Sequence, residues 1–219
     1  MIALIAIFFT SLVVAFSGAM MPGPLLTVTI SEATRKGPLA GVLLILGHAI
    51  LELLLLVGLM FGLAPLFQNE TFFIIVAFVG GLIMLWMATG MFKSLPTLSV
   101  NGVQVADKKN NLVLSGALMS LVNPYWIIWW ATIGIGYVVQ AQKWGNLGVG
   151  SFYIGHILGD LLWYTAISIT IGKGKKLFTD KTYRILIAIC ASFLVGFALY
   201  LIVMGWLTVS DSTCTSTNL

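Results

Sequence analysis

Six long apolar runs, set apart by short polar or basic breaks, restrict this chain to one class of fold. They cover roughly residues 3–31, 38–66, 71–92, 111–140, 145–172 and 184–208. A membrane-spanning helix needs about 20 mostly apolar residues. In lipid the backbone has no water to bond, so runs of this length satisfy their own donors and acceptors as helices. Composition closes the alternative. Charged residues make up 8% of the 219 and hydrophobic residues 59%, whereas a soluble domain carries about 25% charged residues. So few charges cannot cover a water-facing surface. A soluble enzyme and a nucleic-acid-binding protein are excluded on this ground, although the net charge is +4. The expected architecture is an all-α membrane protein with six transmembrane helices.

The placement of positive charge orients these helices. The breaks after the first, third and fifth runs hold Arg35 and Lys36, then Lys93, Lys108 and Lys109, then Lys173, Lys175, Lys176, Lys181 and Arg184. The other two breaks hold only Lys143, so ten of the eleven basic residues fall on one side. Short cytoplasmic loops are the basic ones, which puts both termini outside the cytoplasmic (inner) membrane. The stretch up to Phe16 is apolar and the first basic residue is Arg35. A retained first helix is therefore expected, not a signal with a basic n-region. Cys190, in an apolar run, and Cys214, near the polar end, read as ordinary thiols without a disulfide or metal motif. Residues 209–219 read as a polar, disordered tail.

The two halves resemble each other. Ser17-Gly18-Ala19-Met20-Met21 returns as Ser115-Gly116-Ala117-Leu118-Met119. Gly47 and His48, followed by Glu52, return as Gly155 and His156, followed by Asp160. Phe78, Gly81 and Gly90 return as Phe193, Gly196 and Gly205, and the offset grows from 98 to 108 to 115 as loop insertions would produce. Three helices is an odd number, so the second half enters from the opposite side. The expected organisation is a 3+3 inverted repeat: residues 1–92, a cytoplasmic linker 93–110, residues 111–208, and the tail. Such repeats are characteristic of secondary transporters, whose sites lie near mid-membrane between the halves, at broken helices. A duplicated membrane protein without transport is the plainer alternative.

Candidate site residues follow from that organisation. Met21-Pro22-Gly23-Pro24 interrupts the first run and Asn123-Pro124 the fourth. Proline removes a backbone donor and frees a carbonyl, and the freed groups need protein, water or substrate as partners. His48 and Glu52 in the second run, and His156 and Asp160 in the fifth, are each spaced by four and share a helix face. At about 1.5 Å per residue, all four fall near mid-membrane. An acid there costs roughly 3 kcal/mol on insertion scales, so it demands a partner. Proton relay, binding of a cationic group, metal ligation, and a structural bond pinning helices are all open for these pairs. Trp126, Trp129 and Trp130 read first as interfacial anchors; facing inward, they would hold an ammonium by cation–π contact. Gly80, Gly81, Gly90, Gly196 and Gly205 are expected to permit close helix packing.

With these residues in view, the chain resembles the lysine-exporter (LysE) family over nearly its whole length. The resemblance rests on Met21-Pro22-Gly23-Pro24, on Gly47 and Glu52 in the second helix, and on Asn123-Pro124 in the fourth. It implies export of amino acids or related small solutes, driven by a proton or sodium gradient. The chain departs from the family pattern at His48 and His156, and it lacks the cysteines that relatives passing reducing equivalents carry in helices one and four. No serine–histidine, paired-aspartate or His-Glu-x-x-His arrangement suggests an enzyme, and no cofactor is expected. In the resulting expectation Glu52, Asp160, His48 and His156 bind the cationic group or coupling ion, while Pro22, Gly23, Pro24, Asn123, Pro124 and Trp126 shape the substrate site. The alternative is a divalent-metal exporter using His48, Glu52, His156 and Asp160 as ligands, which requires the second and fifth helices to face each other. Expected partners are a small-molecule or ion substrate and the lipid bilayer. Apolar third and sixth helices with spaced glycines would also suit a homodimer.

Overall fold

Proline, glycine and asparagine decide where the long helices stop. The computed structural model describes residues 1–67, 69–97, 111–173 and 179–216, and no strand occurs among them. The first run is two helices. α1 (Ile2–Ala19) ends at Met20, the backbone is extended at Gly23, and α2 (Pro24–Lys36) restarts with Pro24 in its first turn. Proline suits that position because its missing N–H has no intrahelical partner to lose. The stretch Ser31–Lys36, expected as a loop, is helical instead. Glu32 pairs with Arg35 at 3.3 Å and with Lys36 at 3.8 Å, the spacings that support a helix. The chain turns at Gly37, whose φ of +61° favours glycine.

α3 (Leu39–Gly58) runs through a π-turn at Leu59–Leu63 into the short α4 (Ala64–Phe67). α5 (Glu70–Ser94) is capped by Asn69, whose side chain accepts from the Phe72 N–H at 3.0 Å. The fourth run is again broken, into α6 (Leu112–Leu121) and α7 (Pro124–Trp129). A second π-turn, Trp130–Gly134, leads into α8 (Ile135–Gln142). α9 (Gly145–Lys173) and α10 (Asp180–Ser216) complete the fold. Among the described residues five helices are long and apolar enough to cross a membrane, and a sixth if α6–α8, bent by 65°, is one span. α10 is helical to Ser216, into the stretch read as a polar tail. Lys108, Lys109, Lys175, Lys176 and the linker beyond Thr97 lie outside the described residues, as does the side chain of Cys214.

The break at Asn123 is held by its own side chain. Asn123 Oδ1 accepts from the Tyr125 N–H at 3.1 Å, capping α7. Asn123→Ala is expected to cost about 1 kcal/mol, read as a lowered melting temperature in detergent. An unchanged melting curve would show that the cap contributes nothing.

α9 is the central helix, packing against α1, α2, α3 and α8, while α3 also packs on α6 and α5 on α10. Several crossings are backbone-to-backbone. A Cβ on Gly47 would collide with the Val113 carbonyl, one on Gly116 with the Leu44 carbonyl, and one on Gly155 with the Phe8 carbonyl and Ser11 hydroxyl. Small residues permit such approaches within membranes. Gly80, Gly81 and Gly205 serve the expected packing role against Pro124, Ile202 and Ala77. Gly90 and Gly196 do not, because nothing lies within 4 Å of the Cβ each would carry. Gly81 and Gly205 close contacts inside the chain, between α5 and α10, so they lend no support to a homodimer.

Candidate functional site: a buried histidine–carboxylate quartet

Four ionisable side chains converge where α3 crosses α9. His48 and Glu52 lie one turn apart on α3, and His156 and Asp160 one turn apart on α9. Each spacing of four aims both side chains of a pair at the same neighbour, and the α3–α9 contact turns the two faces toward each other. Each residue offers a nitrogen or oxygen within 4.8 Å of the other three. His48 Nε2 is 3.1 Å from Glu52 Oε1 and 3.3 Å from Asp160 Oδ2. His156 Nε2 is 3.1 Å from Glu52 Oε2 and 3.4 Å from Asp160 Oδ2. Exposure is 6% or less for all four residues. A lone buried carboxylate is strongly unfavourable, whereas opposed charges offset one another. Each acid here faces both imidazoles.

The helix after the second break orients Glu52. Trp126 Nε1 and Trp130 Nε1 both donate to Glu52 Oε1 at 2.8 Å, leaving Oε2 turned toward His156. His48 is oriented by α6. Its Nδ1 lies 2.7 Å from Ser120 Oγ, and Ser120 Oγ donates to the Gly116 carbonyl at 2.8 Å. A hydroxyl has one proton to give, so His48 Nδ1–H donates to Ser120 and Nε2 is the nitrogen left facing the acids. Trp129 lies against His156 with ring centroids 4.6 Å apart, and its Nε1 donates to Ser17 Oγ at 3.1 Å. The tryptophans of this helix are therefore not interfacial anchors: Trp126, Trp129 and Trp130 are 9%, 4% and 0% exposed. Trp86, Trp144 and Trp206 hold the exposed positions instead.

The quartet lines a small cleft of about 40 Å³. Its walls come from both helix breaks: Met21 and Gly23 from the first, Asn123, Tyr125 and Trp126 from the second. The breaks also meet directly, since a Cβ on Gly23 would lie 3.3 Å from Asn123 Nδ2. Of the residues expected to form the site, His48, Glu52, His156, Asp160, Gly23, Asn123 and Trp126 line this cavity. Pro22, Pro24 and Pro124 are not among its lining residues; Pro24 and Pro124 start the two helices after the breaks. Sequence reasoning missed Ser120 and did not single out Trp130 as a partner of Glu52. A serine four residues after Gly116, on the helix that ends in a break, was the available signal for the first.

Comparison with known families follows the same residues. The model of the LysE type translocator family matches residues 16–205. The chain belongs to the LysE type translocator family. No match was found among curated proteins or among solved structures. The matched span of the translocator takes in both helix breaks and all four quartet residues. It is a multi-pass membrane protein of a family that transports small solutes. Within this translocator the indole donors on Glu52 are testable. Trp130→Phe keeps the ring and removes one charge-assisted hydrogen bond, so it is expected to cost about 1.5–3 kcal/mol. Thermal melting of the purified protein measures this, and equal melting of variant and wild type would refute it.

Proposed function

We propose that this translocator exports amino acids or related small solutes bearing a cationic amino group across the cytoplasmic membrane, driven by the proton or sodium gradient. One observation carries the reading: both helix breaks wall a single cavity whose floor is the buried quartet. Broken helices present backbone amides and carbonyls that hold the polar ends of a substrate. Trp126 and Trp129 line that cavity, where an indole can hold an ammonium group by cation–π contact. The quartet supplies the coupling-ion position, with Glu52 and Asp160 taking up the ion and His48 and His156 balancing their charge.

The 3+3 inverted repeat belongs to this reading, because it provides two halves that rock about a central site. Helix pairing supports it. α1 of the first half packs on α9 of the second, α6 of the second packs on α3 of the first, and α5 pairs with α10. Exchanging the halves exchanges the first two pairs and maps the third onto itself. The basic breaks orient both termini outward. The test is efflux from proteoliposomes preloaded with labelled lysine, arginine or neutral amino acids, under an imposed proton or sodium gradient. Gradient-dependent efflux of at least one amino acid is expected. No efflux of any of them, from protein shown to be folded and inserted, would falsify the reading.

A further inference from the structure

We propose that the quartet is a binding site for one divalent transition-metal ion of the zinc class. The inference rests on the reading of the quartet as the transporter's ion position, and it adds a divalent ion, distinct from the coupling proton or sodium ion, that the same four side chains can hold. Zinc takes four ligands tetrahedrally, with nitrogen and oxygen about 2.0–2.2 Å from the metal. The edges of such a tetrahedron are about 3.3–3.5 Å long. The nitrogen–oxygen separations linking α3 to α9 here are 3.3 and 3.1 Å, and the His156–Asp160 separation is 3.4 Å. The four ligand atoms all lie within 4.8 Å of one another, so a small ion among them requires only local adjustment of the side chains.

The bonding pattern points the same way. Glu52 Oε2 and Asp160 Oδ2 lie at ion-pair distance from imidazole nitrogens, yet neither has a hydrogen-bond partner among the described residues. The two carboxylates sit within 4.8 Å of both imidazoles without these oxygens aligning as hydrogen-bond acceptors. His156 Nε2 lies against both Glu52 Oε2 and Asp160 Oδ2, and His48 Nε2 lies against the same Asp160 Oδ2. A supporting shell is in place for His48 and Glu52. A metal-bound histidine donates its other ring N–H to an oxygen that fixes its orientation, and His48 Nδ1–H to Ser120 Oγ is that bond. Trp126 and Trp130 occupy Glu52 Oε1 and leave Oε2 as the ligand oxygen. Two carboxylates and two neutral imidazoles cancel the charge of a divalent cation, which a low-dielectric site requires. Mixed imidazole–carboxylate ligation suits zinc, manganese and their neighbours more than calcium or magnesium, which prefer all-oxygen shells.

The test uses tag-free, full-length protein in detergent, stripped with a chelator and titrated with zinc by calorimetry and with cobalt by visible absorption. One ion per chain is expected, with the intense absorption of four-coordinate cobalt. His48→Gln and His156→Gln are each expected to weaken binding at least tenfold. Ser120→Ala touches no ligand atom and should weaken it about tenfold through the orientation of His48. The absence of saturable binding to the wild-type protein overturns the proposal without recourse to any variant, as does binding unchanged in both histidine variants. Amino-acid efflux measured separately in chelator-containing buffer keeps the two readings apart. Efflux without metal binding removes this inference alone, and metal binding without efflux removes the amino-acid reading alone.

Discussion

Gradient-driven export is expected to fall about a hundredfold or more when Glu52 is replaced by glutamine, in a protein that still folds and inserts. Glutamine keeps the shape of the side chain and an oxygen for the two indole donors at 2.8 Å. It loses the negative charge that faces His48 and His156, each 3.1 Å away. Glutamine can neither take up and release a proton nor hold a cation by charge, and a positioned proton-transfer group is worth about 10²–10⁴-fold in a rate, so a coupling step that runs through Glu52 is expected to lose at least a hundredfold. Asp160→Asn is expected to behave in the same way, because Asp160 Oδ2 is the second carboxylate within reach of both rings. Efflux from proteoliposomes at matched protein density measures both. Wild-type rates in the two variants would remove the quartet from the transport cycle and leave it a structural bond between α3 and α9.

The largest loss of stability is expected at Gly47. A Cβ there would run into the Val113 carbonyl, and the reciprocal position, Gly116, would strike the Leu44 carbonyl. Ordinary overpacking costs about 1–3 kcal/mol, because neighbouring side chains shift. Here the obstacle is backbone on both sides, so only separation of α3 from α6 relieves it. That separation also pulls Ser120 away from His48, 2.7 Å across the same contact. Gly47→Ala is therefore expected to lower the melting temperature clearly, and Gly47→Leu to prevent recovery of monodisperse protein. Gly90→Ala and Gly196→Ala provide the comparison, since both positions face open space and neither change should move the melting curve. Melting of Gly47→Ala together with these controls would show that α3 and α6 are free to part.

Both predictions depend on residues whose type was visible in the chain but whose partners were not. The apolar runs, their breaks at Pro22-Gly23-Pro24 and Asn123-Pro124, and the two histidine–carboxylate pairs could all be read directly. Each expresses a local rule: the length of a span in lipid, the donor that proline lacks, or the four-residue repeat of a helix face. Helix ends were less legible. Glu32 with Arg35 and Lys36 looked like a loop because the residues are polar, yet their spacing binds them into the last turns of α2. A local rule says nothing about which faces meet. Whether the pairs on α3 and α9 stood apart or closed into one quartet depended on how those two helices cross, and the close approach of Gly41 on α3 to the Tyr164 carbonyl on α9 comes from a glycine that looks alike in sequence to the open Gly90 and Gly196. The same holds for Trp126 and Trp130, whose indoles suit a membrane surface equally well until the bend at Asn123 turns them onto Glu52. Hydrophobic periodicity and helix breakers act within a few residues of chain, and so they specify elements. The distances of about 3 Å between groups more than 70 residues apart, from Glu52 to Trp126 and from His48 to Ser120, arise only when backbones pack closely enough to bring those groups into contact.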